Sequence, residues 1–164
     1  MGKLHEGRWS GEIDDDFVVF LIGMRINRPW RVDRWLPVAR AMGPMQAELA
    51  QRPELGCLHT ENWFGRTTLA LQYWRDAEAL NAYAKGDLHL PAWRRFNRAI
   101  KDSGDVGIWH ETYQVRAGAY ETIYGNMPRF GLAAAAAHKP TREVGQSALG
   151  RMGVADAEPV VEPY

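Results

Sequence analysis

Residues 16–26, Asp-Phe-Val-Val-Phe-Leu-Ile-Gly-Met-Arg-Ile, run almost without a polar break. A half-exposed strand alternates apolar and polar side chains; this segment does not, so it is expected to be a central strand covered on both faces. It falls far short of the roughly 20 apolar residues of a membrane span. A strand that must be covered twice needs a layered domain around it, and a chain of 164 residues can bury such a core in one domain with extensions.

The rest of the chain supplies partners in a fixed order. Arg28-Pro29-Trp30 ends the strand, and Asp33 is a plausible N-cap for a helix to about residue 50. Its apolar positions Trp35, Val38, Ala39, Met42, Met45 and Leu49 keep the three-and-four spacing of a buried face, with Gly43-Pro44 expected to kink or split it. Residues 57–64 and 66–74 read as two strands joined at Gly65. Asp76 caps a second helix through Leu80, Tyr83 and Ala84, Gly86-Asp87 interrupts it, and Pro91 restarts a helix with Trp93, Phe96 and Ile100 inward. Residues 106–115 form the last strand. The order β-α-β-β-α-β is the α+β, ferredoxin-like split arrangement.

The domain is expected over residues 15–132. Residues 1–14 are polar and aperiodic and read as an arm, while 133–164 read as a flexible tail with Pro159 and Pro163 near its end. The aromatic stretch 119–130 is too rich in rings for such a tail and should pack across the sheet or a partner subunit. Twenty basic residues balance twenty acidic ones, so no global field favours nucleic acid or a membrane. The opening residues lack a signal-peptide h-region, and Glu6 stands where a myristoylation motif needs Ser or Thr. The lone Cys57 excludes an internal disulfide. A cytoplasmic protein is the default expectation.

Both helices of this arrangement cover one face of the sheet, so the other face must meet a partner or a ligand; a homodimer is expected. Alternation sorts the side chains. In the third strand of the pattern Thr67, Leu69, Leu71 and Tyr73 suit the helix side, and Arg66, Thr68, Ala70, Gln72 and Trp74 the open side. His59, Glu61 and Trp63 share a face, and Arg25 shares one with Phe17, Val19 and Leu21. In 106–115, His110 lies with Ile108, Thr112 and Gln114, and Glu111 with Trp109 and Tyr113. Only one of His110 and Glu111 can enter a given pocket unless a bulge intervenes, and His110 is preferred.

These residues also carry a resemblance. Arg25-Ile26-Asn27, the helix from Trp35 to Met45, Gln72-Tyr73-Trp74, residues 89–97, Gly107-Ile-Trp-His-Glu-Thr-Tyr113 and Tyr124-Gly-Asn-Met-Pro-Arg-Phe-Gly131 resemble a bacterial and fungal family grouped with the antibiotic-biosynthesis-type monooxygenases. The chain is similar there to the small monooxygenase of the fumagillin pathway. The resemblance spans about residues 17–132 and implies a dimeric α+β barrel, two sheets facing one another around ligand cavities.

Fold alone does not fix the chemistry. Cofactor-independent oxygenation asks the protein to take a proton, exclude water and hold the anion. His110 and His59 are the candidate bases, with Gln72 and Arg25 as hydrogen-bond partners of the anion; Trp63, Trp74, Trp109 and Tyr113 are candidate pocket walls. The plainer reading makes each His a core residue bonded to backbone. Haem is the alternative cofactor. In haem-degrading relatives the resemblance places the axial ligand on the second helix, where Trp93 stands here and cannot ligate iron, leaving His89 as a possible ligand or a helix cap. His59 and Glu61 offer two points to a metal but no third ligand follows at a diagnostic spacing. The expected function is a small oxygenase acting on an aromatic or polycyclic molecule without a cofactor. A non-catalytic binder of a hydrophobic ligand or haem is the alternative.

Overall fold

The structure, a computed structural model, describes residues 2–101 and 103–154. The central strand is β2 (Phe17–Ile26), and a four-stranded antiparallel sheet forms around it in the order β3-β4-β2-β5, with β3 Cys57–Trp63, β4 Leu69–Trp74 and β5 Val106–Val115. Helices α1 (Val32–Gln51), α2 (Ala77–Ala84) and α3 (His89–Ile100) lie between these strands in chain order. This is the ferredoxin-like α+β fold.

One helix boundary has a different cause from the expected one. Arg31, not Asp33, occupies the cap of α1, and no side chain caps it. Asp33 sits in the first turn, where a carboxylate suits the helix dipole. Gly43-Pro44 does not split α1, which runs through both Pro37 and Pro44. At α2 the expectation holds: Asp76 accepts from the Ala79 N–H at 2.6 Å, and this bond, followed by Arg75, holds its carboxyl below the usual range. Helix α3 begins at His89, two residues before Pro91, and Trp93 is 42% exposed rather than inward, stacked on Phe96 at 5.6 Å. The Ile100 side chain lies outside the described residues.

Parts of the expected arm and tail are ordered strands. Residues 5–12 form β1 (His5–Glu12), the middle strand of a second sheet between β6 (Tyr124–Met127) and β7 (Ala137–Pro140). Trp9 pairs with Pro140, Ser10 with Lys139 and Gly11 with His138. Ser10 is fully buried, its hydroxyl 3.1 Å from Thr122 Oγ1. The His138 ring stacks on Trp9 at 4.5 Å, with His5 edge-on at 4.6 Å. Polar composition concealed this because strand pairing is main-chain bonding with a residue far away in sequence. Residues 155–164, including Pro159 and Pro163, lie outside the described residues.

This second layer lies on the sheet's non-helical face. Tyr120 meets Phe17 edge-on at 5.1 Å, Phe130 meets Trp63 at 5.9 Å, and the short helix α4 (Leu132–Ala135) contacts both β1 and β3. The aromatic stretch therefore packs across the sheet, and the chain itself covers part of the face expected to await a partner.

Candidate functional site

The strand register sets which side chains meet on the helical face. Phe20 pairs with Gln72 on one side and Thr112 on the other; Ile22 pairs with Ala70 and His110. At one end of this face, Val18 and Trp74 are sealed by Leu49 of α1 and Ala79 of α2. At the other end, Met24 and Val106 are sealed by Trp35 and Val38 of α1 and Phe96 of α3. Between the two seals the cover fails along β5. Val106 is buried, Ile108 half-buried, and His110, Thr112 and Gln114 are exposed, whereas Phe20 and Ile22 beside them stay half-buried. The result is an open stretch of sheet with an apolar strip beside a polar edge, its His110 ring 5.8 Å from that of Phe20. A few polar groups beside an apolar surface is the usual make-up of a small-molecule site.

The face assignment of β4 must be corrected. Ala70, Gln72 and Trp74 point to the helices, and Leu69, Leu71 and Tyr73 to the other side. Trp74 is fully buried in the core, and its indole N–H donates to Gln72 Oε1 at 3.1 Å. The outer set is the reason: Leu69, Leu71 and Tyr73 are apolar and half-buried on a face the second layer covers in part, so alternation carries no polar side to orient the strand.

The opposite face gathers the other candidates. His59 Nε2 lies 2.9 Å from Glu61 Oε1, which also accepts from the Gly131 N–H at 3.3 Å. With Glu61 ionised, Nε2 carries the proton and Nδ1 the lone pair. The pair thus ties β3 to the start of α4. Tyr73 lies beside it, its phenol pushed up to about 12 by burial and by Tyr124. Further along, Arg25 bonds Thr67 Oγ1 and Tyr113 donates to Glu111 Oε2 at 2.6 Å. Trp109 lies over Gly23, with its indole N–H buried and unpartnered among the described residues. His59 and His110, like Arg25 and Gln72, therefore stand on opposite faces of one sheet, and neither couple shares a pocket. His110 and Glu111 divide in the same way, and the preference for His110 on the face without helices is overturned: Glu111, with Trp109 and Tyr113, lies there, and His110 lies on the helical face.

His89 belongs to neither face. Its Nδ1 lies 3.0 Å from the Ala84 carbonyl at the end of α2, and its ring is 5.9 Å from Tyr83. As donor there, Nδ1 leaves the lone pair on Nε2, the arrangement of a ligating imidazole. The adjoining groove of about 380 Å³ sets Glu48, Arg52, Glu54, Arg75 and Asp87 opposite Leu55, Ala79, Ala82, Tyr83 and Leu88. Five charged side chains in so small a groove do not make the large apolar slot that haem needs. Among the described residues no three potential metal ligands cluster.

Sequence reasoning did not single out Phe20, Ile22 and Thr112, which flank His110 in the candidate site. Their signal was their place in strands: Phe20 and Ile22 alternate with the open-face set, and Thr112 follows His110 by two.

Comparison with known proteins fits this architecture. Residues 17–132 match the family model described as monooxygenase af470-like. Monooxygenase af470 of Aspergillus fumigatus is 33% identical over 118 residues, covering 66% of this chain and 42% of the relative. An aldoxime dehydratase solved with butyraldoxime superimposes with a TM-score of 0.67 at 16% identity, over 84% of this chain and 44% of that one. A second aldoxime dehydratase structure gives 0.63 at 17% identity, over 78% and 42%. At such identities the two structures establish the shared fold only. The chain spans under half the length of these relatives. It belongs to the monooxygenase af470-like family.

Proposed function

We propose that this chain is a small oxygenase that oxidises an aromatic or polycyclic molecule on the open sheet face beside His110, with no bound cofactor. One observation carries the reading: His110 stands at the edge of an apolar floor, over Phe20 and Ile22, where the helices leave the sheet uncovered. Family membership supports the reaction class. The substrate best suited is a phenolic ring system with an activated methylene, whose carbanion can pass an electron to O2. His110 takes the methylene proton; the anion and O2 then yield a ring carbonyl and water, which balances one O2 against one CH2 group. Thr112 and Gln114, exposed on the same edge, can hydrogen-bond the substrate's oxygens. His59 is a weaker candidate because Glu61 and the Gly131 N–H engage the pair structurally.

The uncovered part of the other face supports a homodimer. There Val19, Leu21, Leu71 and Trp109 remain only half-buried in the single chain. Sedimentation should give a dimer at micromolar concentration, and a monomer would remove this part.

The reaction is tested with an anthrone-type substrate, following O2 uptake and binding separately. His110→Ala should lower turnover by about 10²–10⁴, the range of a general base, with affinity kept. Retained turnover would discard His110. Binding without turnover in the wild type would make the chain a non-catalytic carrier.

A further inference from the structure

We infer that the loop end of the main sheet docks on an anionic phospholipid bilayer. Three connections meet at this end, and hydrogen bonds hold them together. The Ile26 N–H donates to the Arg66 carbonyl at 2.8 Å, and the Arg66 guanidinium returns to the Ile26 and Asn27 carbonyls at 3.1 and 3.3 Å. The Asn27 N–H and side-chain amide reach the Asp105 and Gly104 carbonyls. From the β2–α1 connection Trp30 projects with 74% of its surface exposed, and from the β3–β4 turn Phe64 projects with 88% exposed. Among the described residues neither ring stacks on another aromatic ring.

Around these rings the charge is one-sided. Arg25, Arg28, Arg31, Arg34 and Arg66 face two carboxylates among the described residues, Asp33 and Asp105. Asp105 is buried, 2.8 Å from Arg28 and 3.8 Å from Arg31. Arg31 bonds Asp33 at 3.1 Å. The hydrogen bonds of Arg25 and Arg66 go instead to neutral groups, the Thr67 hydroxyl and main-chain carbonyls. The balanced charge of the whole chain hides this local excess. Aromatic tips on rigid turns, ringed by arginines, match the bilayer interface, where rings enter the headgroup level and arginines meet anionic lipid. A single-stranded nucleic acid would ask for rings laid flat along a groove; here they stand at the tips of two turns. Docking by this end would suit a substrate that partitions into membranes.

The test is co-sedimentation of the full chain with phosphatidylcholine vesicles, with and without phosphatidylserine at about one lipid in three. Binding is expected only with phosphatidylserine, and should weaken as salt rises. Arg66→Gln should weaken it about fivefold, and Trp30→Ala with Phe64→Ala at least tenfold. Far-ultraviolet circular dichroism should be unchanged in the double aromatic variant, since both rings are exposed, and Arg66→Gln, which gives up two bonds to main-chain carbonyls, is compared well below its own thermal midpoint. Brominated lipid should quench Trp30 fluorescence, measured as the difference between wild type and Trp30→Phe. No binding to the anionic vesicles would overturn the inference. So would binding that survives the double aromatic substitution, or competition by a single-stranded oligonucleotide at equal charge.

Discussion

Trp74→Ala is the sharpest perturbation of the site's location, because the indole belongs either to the core or to a ligand pocket. In the structure it is fully buried against Val18, Leu49 and Ala79, with the Tyr83 ring 5.6 Å away. Truncating a buried Trp costs about 3–5 kcal/mol. The loss of its N–H strands Gln72 Oε1 on a residue only 5% exposed, adding about 1–3 kcal/mol. The combined loss of about 4–8 kcal/mol matches most of the 5–15 kcal/mol that holds a typical domain together. Trp74→Phe keeps most of the ring volume and should cost about 2–3 kcal/mol, much of it from the stranded Gln72. Adding Gln72→Leu to Trp74→Phe should recover about 1 kcal/mol, since removing both partners is nearly neutral. Urea midpoints at constant slope report these differences. A Trp74→Phe protein as stable as wild type but weaker for ligand would place the indole in a pocket and refute the core assignment.

Three further outcomes are expected. Gly23→Ala should destabilise strongly and perturb the Trp109 environment, because the added methyl would overlap the Thr68 carbonyl and lie 2.8 Å from Trp109 Nε1; an unchanged thermal midpoint would contradict this. Truncation after Ala137, harmless to a flexible tail, should instead lower the midpoint clearly. It removes the Pro140, Lys139 and His138 pairings with β1, the ring on Trp9 and the buried Thr141; equal midpoints would show that β7 adds nothing. Burial, then His5 and Arg129, lowers the His138 pKa, so the unfolded chain binds the proton more readily. Its contribution is complete above the unfolded value of about 6.5 and is lost as pH falls through the lower folded value. His138→Phe should flatten that acid limb, and an unaltered profile would discount the linkage.

The main sheet was legible because its elements are local: an unbroken apolar run, a period of 3.6 in α1, and the Asp76 cap each announce themselves in adjacent residues. The second sheet was not, since β1 finds its partners more than a hundred residues away and its inward residues are as small and polar as Ser10 and Gly11. That hidden layer also reversed the reading of β4. The period of two separated Tyr73 from Trp74 correctly, but choosing which set faced the helices needed an exposed polar side, and the outer set of Leu69, Leu71 and Tyr73 is apolar and half-buried. His110, Thr112 and Gln114 were rightly grouped on one face. Their exposure could not be read, because it depends on where α2 and α3 end over the sheet rather than on β5 itself. His59 and Glu61 share a face by spacing alone, whereas the Gly131 N–H that joins them comes from a distant turn.

The central claim is that His110 removes the substrate proton on the open sheet face beside Phe20. The direct measurement is a single-turnover rate with an anthrone-type substrate protonated or deuterated at the reacting methylene, for wild type and His110→Ala. The account predicts a primary isotope effect in the wild type and a rate lower by about 10²–10⁴ in His110→Ala, while His59→Ala keeps the wild-type rate and loses stability. A His110→Ala protein that turns over at the wild-type rate, with the loss appearing in His59→Ala, would move the chemistry to the other face of the sheet and contradict the account.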